Sequence, residues 1–357
     1  MKARKMLWKL VALAALCGAS SQAALAGDGN GYYQLQSTLK LSTPQPSWDY
    51  LTFDASRQYL FINRHADGVS VVDVKHMQVV KSKIPGTEHA GDTALATAEG
   101  LGFTSNEDGS TTLFRLADFS LVKRIKFGSN ADGNVYDPVT HRVAFMMGDD
   151  STVLILSARD GSELGRVKVD GEKLERPVAD GKGNILFALR DKNRVIRLDM
   201  AKMMVSDEWP VSCIQSNSVA IDKDHERIFV GCRGDKPVLL VLDGKNGHQV
   251  ATLTLGRGVD EVIYDADTKQ VFASNGIESN LVVFGQKDPD HYEMTQSVMT
   301  RPSARTMAMD PQTKKLYLVT AEGVQDPGKK VNRAPSFFYP NFYQPDSFVL
   351  LTYGVGK

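Results

Sequence analysis

The stretch DEVIYDADTKQVFASNG, Asp260–Gly276, decides the fold. It reads as an apolar run, a polar turn at Asp265 and a second apolar run. The same reading returns in WDYLTFDASRQYLFIN from Trp48, NSVAIDKDHERIFVG from Asn217 and RTMAMDPQTKKLYLVT from Arg305. A recurrence of this length is the mark of a repeat architecture. The equivalent turn residues Asp54, Thr97, Asp137, Asp180, Asp222, Asp265 and Asp310 are spaced by 43, 40, 43, 42, 43 and 45 residues, so the period holds through seven units.

Outward from the turn, each unit adds a third apolar run, such as GVSVVDV from Gly68, TVLILSA from Thr152 and PVLLVLD from Pro237. Most add a fourth, such as QVVKSKIPG from Gln78 and SLVKRIKFG from Ser120. The runs are short, rich in β-branched and aromatic residues, and bounded by Gly, Asp and Asn, as strands are. Four strands per unit predict an all-β, seven-bladed β-propeller of four-stranded antiparallel blades. Blades are expected at about 48–86, 87–128, 129–171, 172–214, 215–258, 259–302 and 303–357. The seventh unit ends after its third strand, and YYQLQSTLKL from Tyr32 places Tyr33, Leu35, Leu39 and Leu41 on one face at period two. Strand 32–41 is therefore expected to close the last blade, which removes an exposed sheet edge.

The first residues read as an address. Lys2, Arg4, Lys5 and Lys9 precede the short apolar run LVALAALCGA, and Ala24-Leu25-Ala26 fits a small-x-small cleavage site, so residues 1–26 are expected to be a signal peptide and 27–357 the exported, periplasmic propeller. The run is too short to span a membrane, which needs roughly 20 apolar residues. Export into an oxidising compartment makes a disulfide between Cys213 and Cys232 plausible, since both fall at one end of an antiparallel pair. Residues 1–26 hold four basic and no acidic side chains, leaving 38 basic and 42 acidic, a net charge of −4. That balance disfavours nonspecific nucleic-acid binding, which calls for a basic surface.

The second strand and its exit read YLFIN at Tyr59, GFTSN at Gly102, VFASN at Val271 and LYLVT at Leu316. This resembles the Tyr-Val-Thr-Asn (YVTN) repeat propellers of bacterial periplasmic and archaeal surface-layer proteins, and among them the YncE-type periplasmic propellers. The resemblance implies a binding protein, with single-stranded DNA as one ligand proposed for YncE-type members. Related seven-bladed propellers hydrolyse lactones.

Five residues before each turn stand Asp49, Asp92, Asp132, Glu175, Asn217, Asp260 and Arg305. In a propeller these positions open the innermost strands and converge on one mouth of the channel. Two carboxylates about 5 Å apart repel by roughly 3 kcal/mol at an effective dielectric near 20, so such a ring needs a cation, raised pKa values or basic partners. Carboxylate and amide oxygens suit a divalent cation such as calcium. The metal-binding Glu, Asn and Asp of the six-bladed regucalcin and gluconolactonase family resemble Asp49, Asp92, Asp132, Glu175, Asn217 and Asp260 in position. The competing reading is a salt-bridged rim, with Arg176, Arg257, Arg301 and Arg305 as the neutralising candidates. The turn aspartates are expected to cap their own turns.

Unit seven alone carries a long insertion, Ala321–Asp346, on the face of the acidic mouth. Insertions of this length are usually functional or disordered. Its Lys329, Lys330 and Arg333, followed by Phe337, Phe338, Tyr339, Phe342 and Tyr343, suit a lid over the mouth, or a surface on which single-stranded bases stack. With Arg305 these are the ligand-binding candidates. Catalytic signals are thin: the chain lacks His-Glu-x-x-His, Cys-x-x-Cys and Gly-x-Ser-x-Gly, leaving His65 and His89 as weak general-base candidates on the acidic face. The expected function is a monomeric binding protein that takes a cation, small ligand or partner protein. A metal-dependent lactonase, with Asp49, Glu175, Asn217 and Asp260 on the ion, and a DNA-binding protein are the alternatives.

Overall fold

A computed structural model describes residues 31–329 and 340–356, so the proposed signal peptide lies outside the described residues. The unit Tyr32–Lys357 contains seven four-stranded antiparallel sheets. The innermost strands are Leu51–Asp54, Ala90–Ala96, Ala131–Asp137, Val178–Ala179, Ser216–Asp222, Val259–Asp265 and Met307–Met309. Each packs against the next, and the last against the first, so the ring closes as a seven-bladed propeller. The core lies between blades. Each of the seven interblade spaces holds its own cluster of buried side chains, such as Phe103, Val143 and Phe145 between blades 2 and 3.

The seventh sheet runs Tyr33–Lys40, Val349–Val355, Leu316–Thr320, Met307–Met309, so the strand entering the propeller supplies the outermost strand of the last blade. Tyr33 pairs with Val355 and Lys40 with Val349. One expectation fails here: a bulge between Leu35 and Ser37 interrupts the alternation, and Leu35 is 44% exposed while Tyr33 and Leu41 are buried. An extra residue in one strand shifts the faces of its neighbours, which period-two reading cannot anticipate.

The turn aspartates cap locally. Asp54 Oδ1 accepts from the Ser56 amide at 2.9 Å, Asp180 Oδ1 from Lys182 at 2.7 Å and Asp310 Oδ1 from Gln312 at 2.9 Å. Cys213 and Cys232 form a disulfide across 19 residues, worth about 3 kcal/mol in the chain-entropy treatment. It fastens the approach to the fifth inner strand onto the end of that blade's second strand. Among the described residues no helix is long and apolar enough to cross a membrane.

Candidate functional site

Blade 4 shapes the axis. Pro177 cannot donate to a ladder, so its inner strand shrinks to Val178–Ala179, and the residue before it, Arg176, is held extended. Blade 3 approaches closely at this point: a Cβ on Gly133 would stand 2.9 Å from Arg176 Cα, a distance only glycine tolerates. From there Arg176 reaches across the channel. Its Nε donates to Asp92 Oδ2 of blade 2 at 2.9 Å, Nη1 to Glu261 Oε2 of blade 6 at 3.1 Å, and Nη2 to the Leu51 carbonyl at 3.2 Å and Thr52 Oγ1 at 3.1 Å of blade 1. The guanidinium also lies 4.8 Å from the Tyr50 ring centroid, a favourable place for a cation.

Above this tie lies the predicted column, and its members do converge. Arg305 Nε donates to Asp260 Oδ2 at 2.7 Å, and its Nη2 stands 3.8 Å from Asp49 Oδ1. Asn217 Nδ2 donates to Asp260 Oδ1 at 3.0 Å. Arg190 Nη1 lies 3.0 Å from Glu175 Oε1 and 3.2 Å from Asn217 Oδ1. Arg233 bonds Asp260 Oδ1 and donates from Nε to the Val259 carbonyl at 2.7 Å. Asp132 and Asp49 flank Gly91, where a Cβ would sit 3.5 Å from the Asp132 carbonyl and 3.9 Å from Asp49 Oδ2.

Arg176 and Arg305 thus pair with carboxylates of the axis, but Arg257 turns to Glu278 at 2.9 Å and Arg301 is exposed. Their places are taken by Arg190 and Arg233, which sequence reading missed. Each directly follows the second strand of its blade, at Leu189 and Cys232, and that exit position forms its own column: Arg64, Glu107, Gly148, Arg190, Arg233, Gly276, Ala321. The signal was present at the same period.

Guanidinium groups therefore stand among the oxygens proposed for a divalent cation. Among the described residues no group of three or more His, Cys, Asp or Glu side chains is arranged to hold a metal ion. Within the set Asp49, Asp92, Asp132, Glu175, Asn217 and Asp260, guanidiniums pair with Asp49, Asp92, Glu175 and Asp260, and Asp92, fully buried, belongs to the deeper Arg176 tie.

Six carboxylates face four guanidiniums on the axis, and the imbalance appears in their protonation. Burial pushes Asp49 up to about 7 against the pull of Arg305, and Glu261 up to about 8 against Arg176. Burial also raises Asp132 and Glu175. At Asp260 burial acts the same way, but Arg233 and Arg305 outweigh it and hold the carboxyl below its ordinary range. For His65, burial opposes the charge, while Glu107, 3.2 Å away, and Asp49 raise its pKa overall.

Stability should follow. Between about pH 4 and pH 8 the folded chain keeps protons at Asp49 and Glu261 that the unfolded chain has released, so stability falls as pH rises through this window; His65, raised above 6.5, acts in the same direction. We expect the melting temperature to drop by about 2–4 °C from pH 5.5 to pH 8.5, and the drop to shrink in Asp49→Asn and Glu261→Gln. A melting temperature that rises over this interval would contradict the assignment.

The insertion is rooted at the same mouth. Gly323–Val324 pairs with Phe342–Tyr343, the Tyr343 ring meets Trp48 edge-on at 4.9 Å, and its hydroxyl donates to Ser303 Oγ at 2.8 Å. Trp48 in turn lies 5.6 Å below the Arg305 guanidinium. Lys329 Nζ stands 3.8 Å from the Phe342 ring centroid. Lys330, Arg333, Phe337, Phe338 and Tyr339 lie outside the described residues. His65 borders the rim and His89 is exposed.

The chain matches no family model and no curated protein. Among solved structures it is similar to the RRP9 WD40 repeats (10% identity, TM-score 0.72, covering 90% of this chain and 99% of that one). It is also similar to the hydrazine synthase of Kuenenia stuttgartiensis (12%, 0.67, 78% and 93%) and to a chain of the mitotic checkpoint complex (10%, 0.73, 100% and 100%). At such identities the likeness carries the fold alone: the chain is a seven-bladed β-propeller with WD40-like structural neighbours.

Proposed function

We propose that this chain is an exported periplasmic binding protein of the YVTN, YncE-type class, which recognises a small ligand or partner protein at the rim face without turning it over. The observation that carries this reading is the anchoring of the insertion: Tyr343, Trp48 and Arg305 form one contact chain from the hairpin base to the charged ring. The described part of that face offers aromatic and cationic contact groups. The residues a lactonase would use, Asp49, Glu175, Asn217 and Asp260, are engaged by Arg305, Arg190 and Arg233. Single-stranded DNA is the second reading, favoured by Lys329 over the Phe342 ring and opposed by the carboxylate ring beneath it.

The test shortens the hairpin while sparing its root: residues 325–341 are replaced by Asn-Gly, which suits a two-residue turn between Val324 and Phe342. Calcium, oligothymidylate and a panel of small metabolites are screened by thermal shift on both proteins. We expect at least one probe to raise the melting temperature of the full chain and to lose that effect in the shortened one. A rise retained in the variant moves recognition off this face, and chelator-sensitive lactone turnover would replace binding with catalysis.

A further inference from the structure

The other end of the channel is different in kind. Below the Arg176 tie a cavity of about 550 Å³ runs from Arg176 and Glu261 at its floor to the turn at Asp54–Ser56, the end opposite the rim. That volume lies within the range of small-molecule sites. Its walls come from the inner-strand positions three and four beyond the charged column, where the units carry small and aliphatic residues: Leu95, Val135 and Val178, with Phe53 and Tyr136 toward the opening. The Arg176 tie divides the axis, so this funnel is a pocket with a polar floor.

The floor has acceptors to spare and few donors. Arg176 is shared between two carboxylates, Asp92 and Glu261, and its remaining bonds go to Leu51 and Thr52. One guanidinium thus serves two carboxyl groups, and Glu261 keeps its proton up to about 8. Asn134 lines the same cavity at 3% exposure; its amide nitrogen donates to the Phe103 carbonyl at 2.9 Å, while its buried Oδ1 has no hydrogen-bond partner. A buried acceptor left unmade is costly, and a ligand donor would relieve it. An ammonium group supplies three donors and a charge that can take the place of the Glu261 proton, and an apolar body gains by leaving water for the aliphatic walls. A carboxylate would meet the Asp92 charge across a guanidinium already committed to it.

We propose that this funnel is a binding site for a small primary ammonium ligand with an apolar body, its nitrogen on Glu261 and Asn134 and its hydrocarbon against Leu95, Val135 and Val178. The site stands independently of the rim. Glu261 faces Arg176 from blade 4, Asp92 from blade 2 and Asp260 on its own strand, and burial keeps its proton on up to about 8. Binding an ammonium at pH 7 should therefore release a proton, seen as a binding enthalpy that varies with the buffer.

Titration calorimetry on the full exported chain, with phenethylamine, 2-phenylethanol and phenylacetate as probes, tests the site. The amine is expected to bind at least about ten-fold tighter than the alcohol, and the carboxylate not to bind. Glu261→Gln, whose amide oxygen can still accept from Arg176, should level amine and alcohol. Val135→Trp should fill the pocket and abolish both. The variant shortened at residues 325–341 should bind the amine unchanged, which separates failure here from failure at the rim. Absence of amine binding at millimolar concentration, equal affinity for amine and alcohol, preference for the carboxylate, or an amine preference that survives Glu261→Gln each overturns the proposal. Should Glu261→Gln fail to fold, amine binding that persists in Val135→Trp overturns it as well.

Discussion

A chain lacking Tyr33–Lys40 is expected to lose its cooperative unfolding transition, or to melt at least about 10 °C lower, and to self-associate. That strand is the outer member of blade 7, paired along Val349–Val355, and it also fastens blade 7 to blade 6. Gln296, on the outer strand of blade 6, accepts from the Tyr33 amide at 2.8 Å and donates to the Tyr33 carbonyl at 2.7 Å. The Tyr33 ring sits edge-on to Phe272 at 5.2 Å, and its hydroxyl donates to the Lys314 carbonyl at 3.1 Å. Deleting the strand strips the Val349–Val355 edge and empties a core site at the place where the ring must close. The Tyr33→Ala substitution alone should cost about 3–5 kcal/mol. Calorimetry with light scattering reads the deletion, and a synthetic peptide covering Tyr32–Leu41 added in trans should restore part of the transition. A deletion variant that melts within a few degrees of the full chain would show that the latch is dispensable.

The latch was legible because it is a matter of counting: seven first strands, seven second strands and a seventh unit one strand short. The capping aspartates were legible because their bonds reach only two or three residues along the chain, a geometry sequence spacing contains. The column was legible for a related reason, since a position repeated at a fixed phase must return to the same radius and height in each blade. Its partners were harder. Arg190 and Arg233 belong to a second column, at the exit of the second strands, and following a single phase of the repeat passes over them. The bulge at Leu35 and the funnel were not legible at all. A bulge is one extra residue in a register that only pairing defines, and the funnel is a volume left over by small side chains such as Val135 and Val178. The reach of Arg176 across the axis depends on Gly133 drawing blade 3 close, a contact between residues 43 positions apart.

Arg176 is accordingly the single side chain whose loss should cost most at the axis. Arg176→Met keeps much of the apolar stem but leaves Asp92, fully buried, with only the Thr93 amide at 2.8 Å and the Asn134 amide at 3.3 Å. Removing one partner of a buried pair generally costs about 3–5 kcal/mol, because the remaining charge stays desolvated. Arg176→Lys should recover little. An ammonium cannot serve Asp92, Glu261 and the Leu51 carbonyl from one planar fork, and those groups lie on three different blades. The sharper test is the pair Arg176→Met with Asp92→Asn. If the tie is a neutralised buried pair, removing the second charge should return a large part of the lost stability, giving a coupling of about 1–3 kcal/mol in urea denaturation. Additive losses, with no recovery in the double variant, would mean that Arg176 acts through its stem against the Tyr50 ring and that the electrostatic account of the axis is mistaken.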